Sequence, residues 1–211
     1  ATTAQTNRRK RPLHVACLEQ GGGDAARLLA LGASHAARDA AGNTALFVAC
    51  EHGLVGPIEA LLRSGAQPMA KNNREETPLY IASLRGHVAA AEAVVTHLRA
   101  AGADWTRPEL YGDRWTPLMA ATVGGHLALA SALLRWAGQI GQDRASQLAS
   151  AQNKYGQTAL HIAARKGASL FLELLLSAGA EARLRDGDGR TAAEVAGYHG
   201  HAGSQALLFG A

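Results

Sequence analysis

Thr158-Ala159-Leu160-His161-Ile162-Ala163 decides the reading of this chain, because the same pattern returns in phase along it. Upstream it appears as Arg11-Pro12-Leu13-His14-Val15-Ala16, Thr44-Ala45-Leu46-Phe47-Val48-Ala49, Thr77-Pro78-Leu79-Tyr80-Ile81-Ala82 and Thr116-Pro117-Leu118-Met119-Ala120-Ala121. Downstream it appears as Thr191-Ala192-Ala193-Glu194-Val195-Ala196. The starts lie 33, 33, 39, 42 and 33 residues apart. Such a period marks a repeat architecture, in which each unit buries its apolar face only against its neighbours.

Two further signals keep the phase. Nine residues after the start stand Gly53, Gly86, Gly125, Gly167 and Gly200, and only the first repeat departs, with Gln20 followed by Gly21. Twenty-one residues after the start come Gly32-Ala33, Gly65-Ala66 and Gly179-Ala180, with a delayed Gly102-Ala103 in the third repeat. Thr followed by Pro suits a helix start: the hydroxyl caps, and Pro lacks only an amide that would be unpaired there anyway. Gly suits a helix end, where a left-handed residue pairs the last carbonyls. Each period therefore predicts a short helix, a Gly turn, a second helix, a Gly stop and a loop. The second helices carry apolar stripes, such as Ile58, Leu61 and Leu62, or Leu172, Leu175 and Leu176.

The six phased copies resemble the ankyrin repeat family over roughly residues 8–210. The resemblance implies an all-α solenoid of about six helix–turn–helix repeats, beginning near 11, 44, 77, 116, 158 and 191, with a β-turn finger before each helix pair and a concave inner face. It places one repeat domain over 11–211, behind a basic arm at 1–10. The departures carry expectations of their own. The third repeat has six extra residues, which lengthen its second helix through His97 and Leu98 and its finger. The fourth has nine extra and no Gly-Ala stop; Asp143 is placed to cap a short extra helix in its polar stretch. Insertions thus fall near 98–115 and 138–153. The first repeat has Arg11 in place of Thr, and the last reaches Phe209 part-way through its second helix.

Composition agrees with this reading. Among 211 residues, 46 are Ala and 24 are Gly, while aromatics make up 5%, so the core must come from closely approaching helices filled by Leu and Val. No long uncharged apolar run suggests a membrane span, since Leu170–Leu176 is short and contains Glu173. The polar, basic start has no apolar segment of a secretion signal. Two Cys cannot frame a chain of this size with disulfides, so a reducing compartment such as the cytoplasm is expected. Cys17 and Cys50 occupy the same position of successive repeats, and packed helices stand about 8–10 Å apart, too far for a disulfide. Two buried, reduced thiols are expected.

Chemistry is sparse. His14 and His161 occupy the motif position and His87, His126 and His201 follow the turn Gly, where bracing hydrogen bonds explain them better than catalysis. His199 and His201 lack a third ligand at zinc spacing. Asp186-Gly187-Asp188-Gly189 begins like a calcium loop but fails at Arg190 and Gly197. Gly21-Gly22-Gly23 is no phosphate loop. No metal, cofactor or catalytic residue is expected, and the chain reads as a non-enzyme.

Function in a stack of this kind belongs to its surface. The resemblance places partners on the finger tips and on the exposed ends of the first helices. These positions carry Arg74, Arg85, Arg114, Lys154, Arg165, Lys166 and Arg190 against Glu51, Glu76, Asp113 and Asp188. They also carry Trp115, Tyr155 and Tyr198 from a ring-poor chain, and Trp, Tyr and Arg are the usual interface anchors. The fourth and fifth repeats are the expected centre. Trp105 and Trp136 read instead as core. The leading expectation is an interaction module or scaffold that docks an acidic or amphipathic segment of another protein. The alternatives are nucleic-acid or nucleotide binding, aided by Arg8, Arg9, Lys10 and Arg11, and a regulatory segment of a larger enzyme.

Overall fold

The structure is a computed structural model and describes residues 12–18, 23–108, 111–141 and 143–210. The basic arm, Arg11 and the Gln20-Gly21 departure lie outside these. Among the described residues the fold is all-α, with two isolated β-bridges, Arg38 to Thr44 and Arg185 to Thr191, inside fingers. Contacts divide the chain into two compact units, Ala1–Ala103 and Asp104–Ala211.

In the first unit, α1 (Pro12–Ala16), α3 (Ala45–Glu51) and α5 (Pro78–Arg85) are the first helices of successive repeats, and α2 (Gly23–Ala30), α4 (Val55–Arg63) and α6 (Val88–Ala100) the second. Each pair packs together and each layer packs on its next member. In the second unit the first helices are α7 (Pro117–Gly124), α10 (Ala159–Lys166) and α12 (Ala192–Tyr198). The second helices are α8 (Leu127–Gly138), α11 (Ser169–Ser177) and α13 (Ala202–Phe209). As expected, α6 is long, with 13 residues against nine in α4. The extra helix of the fourth repeat is present as α9 (Arg144–Ser150), packed on α8 and α10. Its start differs from the expectation. Asp143 is left-handed, with φ 69°, and its side chain caps nothing; its carbonyl instead accepts from Gln147 N at 2.8 Å and from Ser146 Oγ at 2.9 Å. The last helix, α13, runs eight residues to Phe209, against nine in α4 and α11 and 12 in α8.

The Thr positions cap as the sequence predicts. Thr44, Thr77, Thr116, Thr158 and Thr191 accept the backbone amide three residues on, at 3.2–3.4 Å. The motif Leu and Ala are the core: Leu46, Leu79, Leu118 and Leu160 are buried, as are Ala49, Ala82, Ala121, Ala163 and Ala196. The Ala-rich composition thus serves close helix approach. Trp105 and Trp136 are buried, as expected.

The two motif His residues tie their own repeats to the next finger. His14 Nε2 bonds Asn43 O at 2.9 Å, and His161 Nε2 bonds Arg190 O at 3.0 Å. His87 and His201 brace the preceding helix end, bonding Glu51 O and Arg165 O at 3.1 Å. Among the described residues no group of three or more His, Cys, Asp or Glu is placed to hold a metal, and no helix is long and apolar enough to cross a membrane.

Cys17 and Cys50 are free and fully buried, and burial pushes both thiols up, Cys17 to about 11. Their phase holds Ser83, Thr122, Ala164 and Gly197 in later repeats, and the two hydroxyls donate to Leu79 O and Leu118 O at 2.8 Å. What the six residues share is small size.

Two predictions follow from these sites. A thiol reagent is expected to leave the native protein unlabelled and to titrate two sulfhydryls after denaturation under reducing conditions; rapid native labelling contradicts the packing. The second concerns His161, whose Nδ1 accepts from Thr158 N at 3.2 Å and meets Thr158 Oγ1 at 2.8 Å. That acceptor role needs the neutral ring, and burial lowers the ring below its ordinary 6.5. The unfolded chain therefore binds the proton more readily, so this stability is full above pH 6.5 and lost as pH falls through the lowered folded value. Urea midpoints should fall less on acidification in His161→Gln than in the parent, and parallel falls would refute the assignment.

Candidate partner-binding surface

The fingers are built by a device that sequence reading missed. Five residues before the capping Thr stand Asp39, Asn72, Asn153 and Asp186. The Oδ1 of each accepts the amides two and four residues on, at 2.9–3.0 Å. The chain closes a tight loop around one side-chain oxygen, an Asx turn. The signal was present in the sequence, in phase with Thr. The fourth repeat has Tyr111 there instead. Tyr111 is buried, its hydroxyl donates to Trp105 O at 2.7 Å, and burial holds the phenol far above its usual range. Its finger becomes a 3-10 turn, Gly112–Arg114, with Asp113 and Arg114 at φ 51° and 60°.

Neighbouring fingers join edge to edge. Lys154 N donates to Asp113 O at 2.9 Å, and Gly187 N donates to Tyr155 O at 2.7 Å. The approach requires Gly156, which has φ 70° and would bring a Cβ within 2.8 Å of Gly187 N. In the first unit Asn73 N donates to Ala41 O at 3.0 Å.

This arrangement brings Trp115, Lys154, Tyr155 and Arg165 into one cleft of about 620 Å³, together with Gln157, Asp186, Gly187 and Asp188. The volume falls within the roughly 300–1,000 Å³ of ligand clefts. Trp115 is half-buried and Tyr155 is 51% exposed. Lys154 Nζ lies 5.0 Å from the Tyr155 ring centre. Arg190 borders the cleft through Asp188, and its guanidinium lies 5.5 Å from the ring of Tyr198, which is 76% exposed and meets His199 edge-on. Lys166 is exposed and its Nζ donates to Val123 O. Arg114, at the finger tip, is exposed. Arg74 and Arg85 lie in the first unit, on the third finger and at the end of α5.

The electrostatics differ from the count of charges. Each acidic residue of the predicted surface pairs with one of its cations. Arg74 meets Glu76 at 3.0 Å, Arg85 meets Glu51 at 2.9 Å, and Lys154 meets Asp113 at 2.7 Å. Arg190 meets Asp188 and, at 3.5 Å, the buried Asp186. The Asp113 bond holds the Lys154 proton more tightly than usual. Such exposed pairs add little stability because water and salt screen them, but they remove bare charge from the surface. Arg165 and Lys166 have no carboxylate at ion-pair distance among the described residues.

Comparison with known proteins bears on the fold that carries these residues. A family model described as ankyrin repeats (3 copies) matches residues 13–109, 57–144, 87–186 and 140–211. Among solved structures, the crystal structure of the ankyrin repeat domain of Bcl-3, described as a unique member of the IkappaB protein family, is similar with a TM-score of 0.76 and 27% identity. The match covers 95% of this chain and 82% of that one. No curated protein sequence matches the chain.

Replacing Gly156 by Ala tests the finger junction. Left-handed backbone alone costs a non-Gly residue about 1–2 kcal/mol, and the Cβ must also displace Gly187. Chemical denaturation should show at least that loss, and faster exchange at the Gly187 amide; an unchanged midpoint rejects the junction.

Proposed function

The chain belongs to the ankyrin repeat family, and on that premise we propose that it is an interaction module whose protein partner docks on the finger and first-helix surface, centred on the cleft of the second unit. The observation that carries the reading is the grouping of Trp115 and Tyr155 with Lys154 and Arg165 in a chain otherwise poor in rings. Trp and Tyr bury large area at little entropic cost, and Arg adds a planar fork of hydrogen-bond donors, which makes them the usual interface anchors. Arg114, Lys166, Arg190 and Tyr198 extend the surface around the cleft, and Arg74 and Arg85 supply the corresponding surface of the first unit. The partner segment is amphipathic with acidic character. No cofactor or catalytic step enters this reading.

A nucleic-acid partner is disfavoured by the ion pairs. A polyphosphate strand gains affinity by displacing counterions from many free cations. Here Lys154 and Arg190 already face carboxylates.

The test is capture from native extract by tagged protein, with bound proteins identified by mass. Trp115→Ala, Tyr155→Ala and the charge reversal Arg114→Glu with Lys154→Glu should each deplete the same partner at least about tenfold, the loss of roughly one anchor. Glu92→Lys, on the second-helix layer, should leave capture intact. Full capture by every finger variant overturns the surface assignment.

A further inference from the structure

The charge pairing around the cleft limits what a partner can present to it. Asp186 is committed twice over: its Oδ1 accepts two backbone amides, and Oδ2 lies 3.5 Å from Arg190. Asp188 is paired with the same guanidinium. Lys154 is held between Asp113 and the Tyr155 ring. Among the described residues lining the cleft, Arg165 alone has charge without a carboxylate partner. It sits in the last turn of α10, exposed, and its carbonyl is held by His201, so its backbone is fixed. Beside it the rings of Trp115 and Tyr155 offer apolar surface.

Resting on the proposed docking surface, we propose that the cleft takes one carboxylate next to one large apolar or aromatic side chain of a partner segment, and not a run of acids. The carboxylate meets Arg165, whose planar fork suits two parallel hydrogen bonds. The neighbouring side chain packs on Trp115 and Tyr155. A second carboxylate gains little within the cleft, because the other cation of its lining is Lys154 and the one at its border is Arg190, each beside Asp113, Asp186 or Asp188, while Lys166 lies outside the lining and donates to Val123 O. The cleft volume suits a few side chains. The ion pairs act as a filter: they hold Lys154 and Arg190 as ring supports and leave the cleft lining with one unpaired cation, Arg165.

The probes are the blocked dipeptides acetyl-Phe-Glu amide and acetyl-Phe-Gln amide, blocked tetraglutamate and a short single-stranded oligonucleotide. Each is titrated into the whole protein while NMR follows the three indole N–H signals and the Arg165 side chain. Phe-Glu should shift the Trp115 indole and Arg165 saturably, leave the buried Trp105 and Trp136 unmoved, and bind about tenfold better than Phe-Gln, the worth of one charge-assisted pair. Arg165→Gln should erase that preference while Trp105 and Trp136 keep their native positions, which shows the variant folded. Tyr155→Ala should weaken both dipeptides alike. Equal binding of Glu and Gln dipeptides, tighter binding of tetraglutamate or of the oligonucleotide at the same signals, or no shift at millimolar peptide overturns the proposal. Signals that move on dilution without any probe assign the cleft to a second copy and overturn it as well. If the dipeptides fail while Trp115→Ala and Tyr155→Ala still abolish protein capture, the docking surface stands and only the single-carboxylate rule falls.

Discussion

Short helices place a heavy demand on backbone hydrogen bonding, and the rest of this structure depends on meeting it. A helix leaves about four amides and four carbonyls unpaired at its two ends, so a helix of seven or eight residues has few groups paired internally. The chain supplies partners at each end. A Thr hydroxyl takes an amide at the start. A left-handed Gly closes the end, as at Gly86 and Gly125. His from the following repeat reaches carbonyls that no local group serves. Packing could not bring the Ala faces together if these polar groups lay buried and unpaired.

Most of this was legible in the sequence because the partners are local and periodic. Thr, Gly and the motif His recur at fixed offsets, so one repeat explained the next. What escaped had two causes. The Asx residues Asp39, Asn72, Asn153 and Asp186 were in phase but look like ordinary polar loop residues, and only the bonds to amides two and four residues on reveal their role. Where periodicity stops, reading failed more deeply. Tyr111 occupies the Asx slot but answers to Trp105, a contact that no spacing rule supplies. Asp143 has the right chemistry for a cap and the wrong backbone: it is left-handed, with φ 69°, where a capping residue is extended, and its carboxylate takes no amide of α9.

The site shows the same division. Which residues reach the surface followed from the repeat. How they modify one another did not, because ion pairs form across fingers and between helix ends. Glu51 and Arg85 are far apart in sequence, and so are Asp113 and Lys154, yet each pair is closed by the stacking of repeats. A tally of charges therefore described a basic surface, while the folded surface has most of those charges spent.

The small-residue position that holds Cys17, Cys50, Ser83, Thr122, Ala164 and Gly197 has a consequence for how such a chain can change over generations. Its requirement is volume alone. A thiol is tolerated as a small apolar group, and a hydroxyl finds its bond one turn back, at Leu79 O or Leu118 O, so polarity is satisfied locally. The last repeat marks the lower limit of that volume, since a Cβ at Gly197 would lie 2.5 Å from Gln205 Nε2. At this position a repeat answers to the space its neighbours leave and not to a shared chemistry, and the thiols are where two small side chains contain sulfur.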